Sequence, residues 1–181
     1  EKHMIKIEDY YETLSENSEK DKIAVLYASG TITEGDGFDG IQSKTYVDAI
    51  RKIAQEDKVK ALVLRVNSPG GSANASDEIL FELAQLKTKM PIVVSFGDVA
   101  ASGGYYIACN ANRIFAEPGT ITGSIGVFGM VPNFKAVADK YGVNAEAVKT
   151  HANADGYSVF EEMTPKYKET LTESIEIIYD T

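Results

Sequence analysis

The sequence is short of several things, and each shortage removes a class of function. It has one cysteine, Cys109, which excludes an internal disulfide. That cysteine is expected to be a small buried apolar residue, as free cysteines usually are. It has two histidines, His3 and His151, and no cysteine–histidine cluster of the kind that holds zinc. Basic residues are outnumbered, 18 Lys and Arg against 27 Asp and Glu, for a net charge of -9. So acidic a chain lacks the positive patch that nucleic acid or an anionic lipid surface requires. No apolar run approaches the roughly 20 residues that span a bilayer. The first residues, EKHMIKIEDYYETLSENSEKDK, are charged throughout, so no signal peptide is read there. EKHM reads as the remnant of a tag. GDGFDG (Gly35 to Gly40) lacks the ligand spacing of a calcium loop, and GTITGSIGVFG lacks the lysine of a phosphate-binding loop.

What is present is an ordinary globular composition, 181 residues of which 44% are hydrophobic. That is enough for one domain with a sizeable core. Residues 1–20 read as a tag remnant followed by a linker or short helix, and residues 21–181 as a single domain. KIAVLYASGTI reads as a buried strand, and IQSKTYVDAIRKIAQEDK as an amphipathic helix with Tyr46, Val47, Ile50 and Ile53 on one face. VKALVLRVNS is a continuous apolar run, the mark of a strand buried on both faces. SDEILFELAQLKTK follows as a helix, with Ser76 as one N-cap candidate among others nearby. PIVVSFG reads as a third buried strand, SGGYYIACNA as a helix entered through glycine, and RIFAEP as a short strand. NFKAVADKYG is a helix closed by Gly142, and TPKYKETLTESIEIIYDT opens with Thr164 as N-cap and Pro165 at the first helical position. Strands alternating with helices predict an α/β protein with a mostly parallel sheet.

In such sheets, sites form at the carboxyl ends of strands. Two strand ends carry glycine here, VNSPGG (Val66 to Gly71) and SFGDVAASGG (Ser95 to Gly104). Serine catalysis needs an exposed hydroxyl at a fixed point, a base for its proton and donors for the oxyanion. Ser102, in a collar of alanine and glycine, meets the first need. Gly70 or Gly71 can supply a backbone N–H from the neighbouring strand end. The bland alternative is a serine that only caps the next helix. The base is open: His151 with Asp155, Lys149 and Lys135 are each possible by residue type. A lysine would need burial to lower its pKa. Gly123, Gly126 and Gly129 mark a segment suited to an edge strand lying along a peptide.

Together these pieces resemble the signal peptide peptidase A family, also called protease IV. The matching stretches are VLRVNSPGGSANASDEI and PIVVSFGDVAASGGYYIACNANRIFAEPGTITGSIGVFG. The resemblance implies a serine endopeptidase with a Ser–Lys dyad and a Clp/crotonase-like fold of stacked β-β-α units. It carries the nucleophile to Ser102 and the oxyanion hole to Gly70, Gly71 and Gly103. It places substrate binding at Gly123, Ser124, Ile125 and Val127. It implies cleaved signal peptides and other apolar peptides as substrates, no metal or organic cofactor, and a homo-oligomer, tetrameric in the tandem form of the family. It implies the bacterial cell envelope, with a membrane anchor outside this sequence and the catalytic domain on the periplasmic or extracellular side. One position departs from the pattern: the family's lysine falls on Ala154. Either an N-terminal half of a tandem protein supplies the lysine, or Ala154 is an engineered replacement. ADGYSVFEEMTP favours the tandem reading. The alternatives are a crotonase-like acyl-CoA enzyme and a non-catalytic half that only assembles or binds peptide.

Overall fold

The computed structural model describes residues 21–151, 154 and 156–180, so the expected linker or helix in residues 1–20 lies outside the described residues. The chain divides into two compact units, one ending at Gly123 and one running from Ser124. The first unit holds strands β1 (Lys22–Ser29), β2 (Ile32–Thr33), β3 (Ile41–Gln42), β4 (Val59–Ser68), β5 (Ile92–Ala101), β6 (Arg113–Phe115) and β7 (Ile121–Gly123). Its helices are α1 (Ser43–Gln55), α2 (Ala73–Lys87) and the single turn α3 (Gly103–Tyr106). The main sheet is parallel throughout, in the order β1-β4-β5-β6, and β7 pairs further along the same edge of β5. The α/β class and parallel sheet are therefore as the alternating pattern predicts.

The core lies between this sheet and helices α1 and α2. Leu62, Leu64 and Val66 of β4 and Val94 and Phe96 of β5 pack with Ile50, Ile79, Leu83 and Leu86 of the helices, all nearly inaccessible. The continuous apolar run of β4 does not give burial on both faces. Alternate residues Ala61, Val63 and Arg65 remain half-exposed, and Ile23, Val25 and Tyr27 of β1 are exposed. α1 and α2 cover the face formed by every second residue, and period-two alternation leaves the other set outside. The first strand also ends sooner than its apolar run, at Ser29, because Gly30 turns the chain at φ +99 against Gly40.

Two smaller expectations change. Helix α2 begins earlier than predicted, with Ser72 as N-cap, its hydroxyl accepting the Ala75 N–H at 3.2 Å. Ser76 sits in the first turn, fully buried, donating to the Ser72 carbonyl at 2.8 Å. Cys109 is exposed, not buried. α3 ends after one turn, Ile107 and Ala108 take the core positions, and the chain turns outward at the next residue.

The second unit contains α4 (Lys135–Lys140) and α5 (Pro165–Asp180). Gly142, at φ +69, follows the first as expected, with the Val143 N–H returning to the Ala138 carbonyl at 2.9 Å. Thr164 caps the second through its hydroxyl, which accepts the Tyr167 N–H at 3.2 Å. No helix of the described residues is long and apolar enough to cross a membrane.

Candidate active site

Strand β5 ends at Ala101 and helix α3 begins at Gly103, so Ser102 alone makes the turn between them. Its backbone stands at φ 50 and ψ -125. A residue with a Cβ rarely occupies that region, and holding it there costs about 1–3 kcal/mol. The surroundings supply the restraint. The Ser102 N–H donates to the Gly123 carbonyl of β7 at 3.2 Å, and its carbonyl accepts the N–H groups of Tyr105 and Tyr106 at 2.9 Å. Its side chain makes no capping hydrogen bond. The hydroxyl of a helix-leading serine is normally spent on the cap; here it is left over.

The glycine collar is explained by close packing. A Cβ on Gly103 would stand 2.4 Å from the Ser76 hydroxyl, and one on Gly104 would stand 2.6 Å from the Ser68 carbonyl oxygen. α3 is thus seated directly on the end of β4 and the start of α2, where no side chain fits.

The SPGG loop closes over the same turn. Gly70 has φ +98, and a Cβ there would lie 2.7 Å from both the Ser102 Cβ and the Gly103 nitrogen. Gly71 is pressed against Ile32, where a Cβ would meet the carbonyl oxygen at 2.0 Å. Ile32 clamps the loop by donating to the Gly70 carbonyl at 2.9 Å and accepting from the Ser72 N–H at 2.8 Å. The Gly70 N–H is taken by the Ser68 hydroxyl at 3.1 Å. Among the described residues, the N–H groups of Gly71 and Gly103 donate to no protein group. They are close together: the Gly71 nitrogen lies 3.4 Å from where a Gly103 Cβ would stand. Two unpaired backbone donors beside a strained serine are the parts from which an oxyanion site is made.

The chain is similar to known proteins. The model of Peptidase family S49 matches residues 84–181, and that of Clp protease matches residues 15–120. The chain belongs to peptidase family S49. Protease 4 of Salmonella typhi is 43% identical over 87% of the chain and 26% of that protein's length. Protease 4 of Haemophilus influenzae is 40% identical over 98% of the chain and 30% of its own length. The chain thus spans between a quarter and a third of the length of these relatives. A mutant of the 1510-N membrane-bound stomatin-specific protease superposes with a TM-score of 0.50 at 22% identity, over 89% of this chain and 64% of that one. With the Clp match, that likeness supports the Clp-like fold that the resemblance implies.

The remaining expected residues of this S49 chain fall in two places. Gly123 belongs to the first unit, paired with Ala101, and it holds the Ser102 N–H. The other edge of β7 pairs with no strand among the described residues. Ser124, Ile125 and Val127 open the second unit. Ser124 has φ 48, Ile125 is exposed and Val127 half-buried. The candidate bases also lie in the second unit. The Lys149 ammonium pairs with Glu161 at 3.0 Å. Lys135 pairs with Asp139 at 2.7 Å, and that hydrogen bond and charge hold its ammonium above the usual lysine range. A raised pKa means less free amine at neutral pH, the wrong direction for a general base. The His151 Nδ1 lies 3.0 Å from the Thr150 hydroxyl. Asp155 lies outside the described residues, and Ala154 has only a methyl side chain. No hydrogen bond joins the Ser102 hydroxyl to a base among the described residues. Nor do those residues include a group of three or more His, Cys, Asp or Glu side chains able to hold a metal ion. Two residues are not read from sequence as parts of this site: Ser68, and Ser76, which is read there only as a helix cap. Each lies behind a site glycine, and nothing in a sequence tells a buried hydroxyl from a solvated one.

Proposed function

We propose that this chain is the nucleophile-bearing part of a serine endopeptidase that degrades released signal peptides and other apolar peptides. The strained backbone of Ser102, beside two unpaired N–H groups, is the observation that carries the reading. The Ser102 Oγ attacks the scissile carbonyl while a neutral lysine amine takes its proton. The tetrahedral oxyanion is received by the N–H groups of Gly71 and Gly103, with Gly70 forming the wall of the pocket. Collapse breaks the C–N bond, and the protonated lysine returns its proton to the departing amine. A water molecule, deprotonated in the same way, then hydrolyses the ester on Ser102. The substrate lies along the open edge of β7, pairing by backbone hydrogen bonds at Gly123.

The lysine comes from a segment outside these 181 residues, an N-terminal half of a tandem protein, because Ala154 stands where the family's lysine is expected. The complete protein is a homo-oligomer of the bacterial envelope, anchored so that the site faces the periplasmic or extracellular side. The test is hydrolysis of an apolar peptide, read by mass spectrometry. The chain alone is expected to be inactive and to gain activity when the lysine-bearing half is added. Ser102→Ala should abolish it. Turnover that survives Ser102→Ala would refute the assignment, and Ser102-dependent turnover by the chain alone would place the base within it.

A further inference from the structure

Among the described residues only three polar side chains are buried, those of Ser43, Ser68 and Ser76. Ser68 is the last residue of β4 and is completely inaccessible. Its Oγ accepts the N–H of Gly70, which is itself buried, at 3.1 Å. The hydroxyl thereby mimics a backbone carbonyl and closes the Ser68-Pro69-Gly70 turn on itself. Pro69 has no N–H and a restricted φ, so Gly70 carries the first backbone donor after the strand. With that donor satisfied, the next one, on Gly71, is the one left unpaired. Ser68 also bears on the other half of the site. A Cβ on Gly104 would meet its carbonyl oxygen at 2.6 Å and its Cβ at 3.0 Å. One residue therefore touches both the loop that presents Gly71 and the helix that presents Gly103.

A hydroxyl is an expensive filler for this space. Leu62, Leu64 and Val66 precede it on the same buried face of β4, and a hydroxyl taken out of water is unfavourable unless it is hydrogen-bonded. Alanine would occupy nearly the same volume without that cost. What alanine cannot do is accept the Gly70 N–H.

We infer that Ser68 is a positioning residue of the oxyanion site, its hydroxyl holding the Gly70–Gly71 turn so that the Gly71 N–H stays directed at the developing oxyanion. This rests on Ser102 being the nucleophile. Ser68 itself touches no reacting atom.

The test compares Ser68→Ala, Ser68→Cys and Ser43→Ala with the native sequence in the active enzyme, the lysine-bearing segment present. The readouts are kcat and KM on an apolar peptide, inhibition by a peptide aldehyde and the thermal midpoint. The hemiacetal oxygen of the bound aldehyde occupies the oxyanion site. Outright loss of one oxyanion donor lowers kcat by about 10²–10³, so a displaced donor should cost roughly ten- to a hundredfold. Ser68→Ala should therefore lower kcat by that factor with KM within about twofold, and weaken the aldehyde by a matching factor. Sulfur is a weak acceptor, so Ser68→Cys should fall between serine and alanine. Ser43→Ala, equally buried but at the start of α1, should lower the midpoint and leave kcat unchanged. The inference is overturned if folded Ser68→Ala keeps native kcat, or if the whole loss appears in KM. Should the alanine variant not fold, native kcat in Ser68→Cys overturns it equally. Ser102→Ala separates the two assignments. Surviving turnover there refutes the nucleophile whatever Ser68 does. Turnover lost there but native in Ser68→Ala refutes only the role of Ser68.

Discussion

Replacing Gly70 by alanine would place a methyl group where two backbone atoms and the Ser102 Cβ already stand. The new Cβ would stand 2.7 Å from the Gly103 nitrogen, 2.7 Å from the Ser102 Cβ and 2.9 Å from the Ala101 carbonyl oxygen. Ordinary contact begins at 3.4 Å, so the SPGG loop and the Ser102 turn would have to separate by about 0.7 Å, and neither neighbour is the end of a flexible side chain. The φ of +98 adds about 1–2 kcal/mol of strain for any residue with a Cβ. Overpacking adds about 1–3 kcal/mol. Together these predict a loss of about 2–5 kcal/mol, which for a chain of this size lowers the thermal midpoint by on the order of 10 °C. A displacement approaching 1 Å between reacting groups costs about a hundredfold in rate. The measurements are thermal unfolding by circular dichroism and peptide turnover in the active enzyme. Gly119→Ala is the control, since an added Cβ there meets nothing within 4 Å and its φ is not positive. It should stay within about 0.5 kcal/mol of the native chain. A Gly70→Ala variant with native midpoint and native turnover would refute the close approach of the two strand ends.

Three further outcomes follow from the same packing. Ser72→Ala removes the α2 cap bond from the Ala75 N–H and should cost about 1 kcal/mol in urea unfolding, while a cap at Ser76 would predict no such loss. Leu64→Ala, on the helix-facing side of β4, should cost about 2–5 kcal/mol, whereas Val63→Ala on the half-exposed side should cost well under half of that. Equal losses would mean that both faces are buried. Although Cys109 is an exposed residue, neighbouring atoms screen its thiol from part of the solvent, and that desolvation pushes the thiol above the usual range, so less thiolate is present at neutral pH. Its alkylation by iodoacetamide should be slower at pH 7.5 than that of a free thiol such as glutathione, and should accelerate as pH rises past 9; a faster reaction at pH 7.5 would contradict this.

Much of the molecule was readable along the chain because the determinants are local. Thr164 followed by Pro165 starts a helix and Gly142 ends one, since capping needs only neighbouring backbone groups. The strands at Lys22, Val59 and Ile92 were legible from their apolar runs. Ser102 stood out because a serine among the smallest residues, after a strand, is a rare local composition. The limits were just as local. Ser76 and Ser72 are both sound N-caps by residue type, and only the loop held by Ile32 selects Ser72. An apolar run cannot say whether one or both faces of a strand are covered, because cover comes from other segments.

What the sequence by itself determined is therefore the set of elements and the residue types at their ends: a hydroxyl at Ser102, bare backbone at Gly70, Gly71, Gly103 and Gly104, and a net charge of -9. Only the tertiary structure decided what those residues face. Parallel pairing of β4 with β5 brings the SPGG loop over the Ser102 turn, so glycines far apart in the chain exclude each other's side chains. The same packing decides that the Ser102 hydroxyl is not spent on a cap, that the Gly71 and Gly103 N–H groups stay unpaired, and that Ser68 holds Gly70 from behind. The physical reason is that a composition fixes which bonds a residue can make, while burial and partner, which fix the bonds it does make, are properties of segments meeting in space.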